Sequence, residues 1–215
     1  FKTVTRNDDD LAAILYTSGT TGRSKGAMLT HNNLSSNALV LQKFWGWKKG
    51  DVLLHALPIF HVHGLFVAAH GALINGSKMI WLPRLDTAAL IQNMPRSTVM
   101  MGVPTFYVRL LADKNFTKAA CRNMRLFVSG SAPLLTETFN AFQDLIGETI
   151  LERYGMSETI MLVSNPYKGA RVGGSVGLPL TGVKVRVVNE NNKPCAVNEI
   201  GSIQVKGPNV FKGYW

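Results

Sequence analysis

The chain has 215 residues, 46% hydrophobic and 17% charged, enough to bury the core of one large α/β domain or of a domain and a half. That mix excludes disorder, collagen and coiled coil as the main architecture. Twenty-three Lys and Arg against thirteen Asp and Glu leave a net charge of +10, spread without a dense run, which suits a small polyphosphate ligand better than a nucleic-acid groove.

In chain order, Leu11–Tyr16, Val52–Ala56, Lys78–Leu82, Thr98–Gly102, Leu126–Ser129 and Thr149–Glu152 read as short buried strands. Between them Met28–Phe44, Val62–Asn75, Thr87–Met94, Pro104–Ala112 and Leu134–Ile146 read as helices, with Pro104 and Pro133 in first helical turns. Alternation of this kind predicts an α/β fold: a mostly parallel sheet with helices on both faces. From about Gly173 the texture changes. Val183–Val188 and Ile200–Val205 alternate with period two between Gly-Pro-Asn turns, the pattern of antiparallel strands. The expected division is therefore 1–172, an α/β core, and 173–215, the start of an antiparallel β portion.

Leu11–Tyr16 and Val62–Ile74, the most apolar stretches, fall short of the roughly 20 residues that span a bilayer. Cys121 and Cys195 are too few for a disulfide framework or a four-thiolate zinc site, and they suit a reducing cytosol. A soluble cytoplasmic protein with neither nucleic-acid nor membrane partner is expected. The abrupt ends, Phe1 and Trp215, read as those of a truncated chain or gene fragment.

Tyr16-Thr17-Ser18-Gly19-Thr20-Thr21-Gly22-Arg23-Ser24-Lys25-Gly26 lies between a predicted strand and a predicted helix. Glycines let amide groups converge on an anion, the hydroxyls add donors, Arg23 and Lys25 add charge, and a helix start adds its dipole. The spacing is neither the Walker pattern nor the three-glycine dinucleotide fingerprint. Tyr154, Ser157, Glu158 and Thr159 follow a predicted strand end, where a carboxylate among hydroxyls fits Mg²⁺ and fits a helix cap equally well. Ser129–Leu134 reads as a helix start able to receive an anion. His55, His61, His63 and His70 crowd sixteen residues that hold no Cys, Asp or Glu, so a metal cluster is the weaker reading. Thr105 and Arg109 share a helix face at i, i+4; Arg109 is either a surface cation or a fork for a buried carboxylate.

The hydroxyl-rich loop resembles the signature of the acyl-activating, adenylate-forming superfamily. Other matches follow in that family's order: His55–Gly64, Gly102–Tyr107, Ser129–Leu134, Glu152–Thr159, Gly174–Gly177 and Gly207–Trp215. Within the superfamily the malonate-activating synthetases are the nearest likeness. The resemblance implies ATP, Mg²⁺ and CoA as cofactor and co-substrates and malonate as the acid, activated through malonyl-AMP. It implies ATP contacts from Thr17, Ser18, Gly19, Thr20, Thr21, Gly22, Lys25, Ser131, Ala132, Tyr154, Gly155, Met156, Ser157 and Thr159. Tyr154 would stack on adenine, and Ser157 stands where the family usually has Thr. Thr20, Lys25 and Glu158 would be catalytic, with Glu158 on the metal. His61, His63, Arg109 and Ser129 would face the acid, Arg109 on its distal carboxylate. The family's ribose-binding Asp and C-terminal catalytic lysine have no counterpart in the sequence, so the chain alone is expected to be inactive. Another carboxylic acid–CoA ligase and a non-catalytic nucleotide-binding module are the alternatives.

Overall fold

The computed structural model describes residues 2–17 and 24–215. The chain opens with an antiparallel pair, β1 (Leu11–Thr17) and β2 (Lys25–Thr30), in register from Ala13–Leu29 to Thr17–Lys25, with a bulge between Leu11 and Ala13. Two expectations change here. The first strand is half exposed and lies outside the parallel sheet. The segment expected to be helical from Met28 is a strand up to Thr30, because pairing with β1 overrides the helix propensity of Ala, Met and Leu. The switch occurs at Thr30, the N-cap of α1 (His31–Phe44). Its hydroxyl accepts from the Asn33 N–H at 3.2 Å, and the Asn33 carboxamide oxygen accepts from the Thr30 N–H at 2.9 Å. This is a reciprocal cap built from Asn in place of the commoner Glu or Gln.

The apolar runs in the middle of the chain become β3 (Val52–His55), β4 (Lys78–Trp81), β5 (Val99–Gly102), β6 (Leu126–Ser129) and β7 (Leu151–Tyr154). They pair in parallel in the order β4-β3-β5-β6-β7. β8 (Val163–Ser164) and β9 (Leu178–Pro179) extend the same sheet antiparallel, giving seven strands. The last parallel strand ends at Tyr154, two residues beyond the expected Glu152, so Arg153 belongs to the sheet. The helix expected over Val62–Asn75 is a π-helical segment, His63–Ala69, followed by α2 (His70–Ile74). α3 (Thr87–Asn93), α4 (Pro104–Leu111) and α5 (Thr136–Ile146) complete the helices. α5 starts later than predicted, so Pro133 precedes the helix and is not in its first turn.

β10 (Lys184–Val188) and β11 (Ser202–Lys206) form a separate antiparallel pair, and β12 (Gly213–Tyr214) joins β2. The segment expected from residue 173 onward as one antiparallel portion is thus distributed over three sheets.

Burial explains why the parallel strands read as unbroken apolar runs: Val99 to Gly102 and Leu126 to Ser129 are buried at every position. Phe142 on α5 anchors the core under the sheet, its ring 4.9 Å from Phe127 and 5.7 Å from Tyr107. At the N-terminal edge of the sheet Asp51 and Arg125 form a buried, two-pronged ion pair. Burial alone would raise the Asp51 carboxyl, but bonds from Arg125, the Lys48 N–H and Thr98 hold it below the ordinary carboxylate value. With that edge fastened, the opposite, C-terminal edge is the one left open.

Candidate active site

A cavity of about 450 Å³ opens at the C-terminal edge of the parallel strands. Leu57 and Pro58 follow β3, Val103 follows β5, Ser131 follows β6, and Gly155 to Glu158 follow β7. Thr17, at the end of β1, and the His61–Gly64 segment close the other side. Ligands collect at this edge of open α/β sheets. A second cavity of about 360 Å³ shares Ser131 and Gly155 with the first and runs past Ala132, Tyr154 and Gly174.

The loop from Tyr154 to Val163 is tightly folded. A Cβ on Gly155 would lie 1.9 Å from the Ile160 carbonyl oxygen, so only glycine fits. Ile160 itself sits at φ +56°, a region that a β-branched residue rarely adopts. Such strain concentrates at ligand sites. No helix follows Glu158, because the turn leads directly to β8. The helix-cap alternative for this carboxylate is therefore excluded.

Glu158 is 9% exposed and lines the larger cavity. Among the described residues its side chain has one hydrogen-bond partner, the Tyr214 hydroxyl, which donates to Oε1 at 2.8 Å. No three His, Cys, Asp or Glu converge among the described residues, so the four histidines form no metal cluster. Mg²⁺ takes few protein carboxylates and shares the rest of its shell with water and substrate phosphates, so one Glu beside the hydroxyls of Thr17 and Ser157 is a suitable donor set.

Ser131 is held at φ +70°, with Oγ 3.2 Å from His63 Nδ1. His63 is 3% exposed, and its Nε2 has no partner among the described residues. Burial, together with the nearby Arg153 charge, drives the imidazole well below its usual value, so it is neutral at pH 7. His61 is exposed, stacks on Phe60 and lines the same cavity. His55 and His70 lie outside it, His55 buried against Trp81.

The structure gathers Thr17, His61, His63, Ser131, Gly155, Met156, Ser157 and Glu158 around one cavity, with Ala132 and Tyr154 in its neighbour. Tyr154 is 36% exposed, which leaves its ring free to stack. Thr159 is buried beneath, its hydroxyl without a partner among the described residues. Lys25 starts β2. Ser18, Gly19, Thr20, Thr21, Gly22 and Arg23 lie outside the described residues. With a strand in place of a helix after Ser24, the hydroxyl-rich segment is not followed by the helix dipole expected of it. Two other residues depart from expectation. Ser129 is fully buried within β6, paired in register with Glu152, and lines neither cavity. Arg109 stands on the exposed face of α4 and also lines neither cavity. α4 buries Phe106, Tyr107 and Leu110, and that turns positions 105 and 109 outward.

One residue escapes the sequence reading. Arg153 is 2% exposed, lines the smaller cavity, and packs so closely on Gly130 that a Cβ there would lie 2.5 Å from its guanidinium carbon. Its Nε and Nη2 have no hydrogen-bond partner among the described residues. Burial pushes the group down to about 9, which leaves it charged at neutral pH. An arginine next to the C-terminal end of a strand whose neighbours are buried on both faces is the signal that could have found it.

The sequence matches the AMP-binding enzyme family over residues 1–215. A malonate–CoA ligase of Arabidopsis thaliana is 39% identical over 96% of this chain and 37% of its own length. A mitochondrial malonate–CoA ligase of Mus musculus is 41% identical over 95% and 41%. The ATP-bound structure of MatB from Rhodopseudomonas palustris is 56% identical with a TM-score of 0.97, over 100% of this chain and 43% of that one. The chain spans about two fifths of the length of these relatives. A nucleotide-sized cavity at the carboxyl edge of the sheet, a lone carboxylate among hydroxyls and a family match along the whole sequence agree: this chain belongs to the AMP-binding enzymes.

Proposed function

We propose that the protein activates malonate at the expense of ATP and transfers the malonyl group to CoA. The carrying observation is Arg153, a buried guanidinium without a counter-charge among the described residues, beside neutral His63. A cation left this way is costly unless a ligand supplies the anion. A dicarboxylic acid does so with its second carboxylate while the first reacts. The likeness to malonate ligases supports the same substrate.

In the first step a carboxylate oxygen of malonate attacks the α-phosphorus of ATP, forming malonyl-AMP and releasing pyrophosphate. In the second the CoA thiolate attacks the acyl carbon and AMP departs. Phosphoryl transfer asks mainly for positioning and charge neutralisation. Lys25 and Thr17 would hold phosphate oxygens, with Thr20 of the loop beside them. Tyr154 would stack on the adenine, flanked by Ser131 and Ala132. Glu158 would hold Mg²⁺, which would supply positive charge for the leaving pyrophosphate. His61 would stand at the acyl entrance, and Ser131 would hold His63 in place through its Nδ1 bond. Arg109, exposed on α4, is a second cation for the distal carboxylate and is tested separately. Small molecules are the partners in this reading, with no nucleic acid or membrane, and the setting is cytoplasmic.

The test, made in a full-length ligase that carries this chain, compares malonate with butyrate as substrates for Arg153→Met and for Arg109→Leu. Arg153→Met is expected to lower the malonate-to-butyrate ratio of kcat/KM by roughly a hundredfold, the loss of about 3 kcal/mol for one partner of a buried pair. If both substrates lose activity equally in both variants, neither arginine reads the second carboxylate and the malonate assignment fails.

A further inference from the structure

The C-terminal motif Gly207–Trp215 carries nothing in the reaction just described, yet its last strand touches Glu158 on the cavity wall. Tyr214 pairs with Ala27 across the antiparallel β12–β2 ladder. Facing residues on such a ladder share one side of the sheet, and Lys25, two positions from Ala27, shares it too. The result is a diagonal contact: Lys25 Nζ lies 5.3 Å from the centre of the Tyr214 ring, within cation–π range. The same ring ends in the hydroxyl that donates to Glu158 Oε1 at 2.8 Å. One side chain therefore touches both a candidate phosphate cation and the candidate metal carboxylate.

The strand that presents it is well fastened. Lys212 N–H donates to the Met28 carbonyl at 3.0 Å, Trp215 N–H to the Gly26 carbonyl at 2.8 Å, and Phe211 N–H to the Glu158 carbonyl at 2.8 Å. The Phe211 ring meets that of Tyr214 edge-on at 4.9 Å. The hydroxyl bonds Oε1 of a carboxylate that lines the cavity and leaves Oε2 without a hydrogen bond among the described residues. Hydrogen-bonded partners of metal-ligating carboxylates fix their direction.

We infer that Tyr214 is a positioning residue, whose hydroxyl orients Glu158 for the metal while its ring holds Lys25 beside the phosphates. This rests on the reading of Glu158 as a metal ligand in the proposed function, and the experiment separates the two. ATP binding to the protein is measured by calorimetry in Mg²⁺ and again in EDTA. Tyr214→Phe keeps the ring and removes the hydroxyl. It is expected to weaken binding about tenfold in Mg²⁺, the lower end of the usual loss for such a partner, and to leave binding in EDTA unchanged. Tyr214→Leu removes the ring as well and is expected to weaken binding in EDTA also. Glu158→Gln is expected to erase the Mg²⁺-dependent gain altogether. If Glu158→Gln keeps that gain, the metal reading fails. If Glu158→Gln erases it while Tyr214→Phe leaves both arms unchanged or weakens them equally, the metal reading stands and the role of Tyr214 is overturned.

Discussion

Arg153 shows how a single side chain can work against the fold that holds it. Its charge lies under the site with two nitrogens unpartnered, and nothing in the described structure offsets it. Exchanging it for a residue of similar volume and no charge should therefore stabilise the protein, as replacing buried ionic groups with apolar ones often does by about 1–4 kcal/mol. Arg153→Met is expected to raise the melting temperature in the absence of ligand while losing selectivity for malonate. A fall in melting temperature would mean that the guanidinium is structural. The buried histidines give a second expectation. Burial pushes His55 down to about 4 and His63 and His70 below their ordinary value, whereas in the unfolded chain each binds a proton near 6.5. Below about pH 6.5 the unfolded state binds more protons than the folded one, so stability present at neutral pH is lost as pH falls towards 4. Urea midpoints measured between pH 7.5 and 4.5 should fall in that window, and His55→Leu should flatten the slope. A midpoint independent of pH in both proteins would contradict the burial of these rings.

At the level of elements, the junction between β2 and α1 decides the shape of the site. Asn33 caps α1 through its oxygen, and its Nδ2 donates to the Pro208 and Val210 carbonyls at 2.7 and 2.9 Å. Asn209, within that same loop, donates to the Thr159 and Met161 carbonyls. Two amides thus tie the helix start, the C-terminal loop and the strained turn after Glu158 into one unit. Thr30→Ala removes the cap alone and should cost about 1 kcal/mol. Asn33→Ala also orphans two carbonyls and should cost about 1–3 kcal/mol more in chemical denaturation. Equal losses would mean that the link to residues 208–210 carries no weight. This junction was also where the sequence misled. Ala27–Leu29 holds good helix formers, and only pairing with β1 makes it a strand, a long-range fact that local periodicity cannot contain. The π-helical turn at His63–Ala69 was illegible for the same reason: Gly64 lies so near the Pro58 carbonyl that a Cβ would sit 2.1 Å from its oxygen. The parallel strands, in contrast, were legible because burial on both faces leaves a continuous apolar run in the sequence.

Across the whole molecule, the motifs that resembled a known family converge on one edge of the sheet, although they are spread from Thr17 to Tyr214. What the sequence could not convey was which residues of each motif turn inward. The family resemblance points to Arg109 as the acid-binding cation, whereas the burial of Phe106, Tyr107 and Leu110 faces it outward. Arg153 sat unnoticed inside a nucleotide motif because a strand end hides its environment. A further consequence follows from β1 and β2 flanking the hydroxyl-rich loop. A strand pair has almost no net dipole, so long-range attraction for a polyanion rests here on formal charges, Lys25 and the scattered surplus of cations. Such charges are felt over only about 8 Å at physiological ionic strength and about 3 Å in molar salt. The protein should therefore behave as an ionic-strength gauge. ATP affinity is expected to fall by more than tenfold between 50 mM and 500 mM KCl, and Lys25→Ala should make that decline shallower. A nucleotide site fed by surface charge fills readily in dilute medium and empties as the surrounding electrolyte thickens.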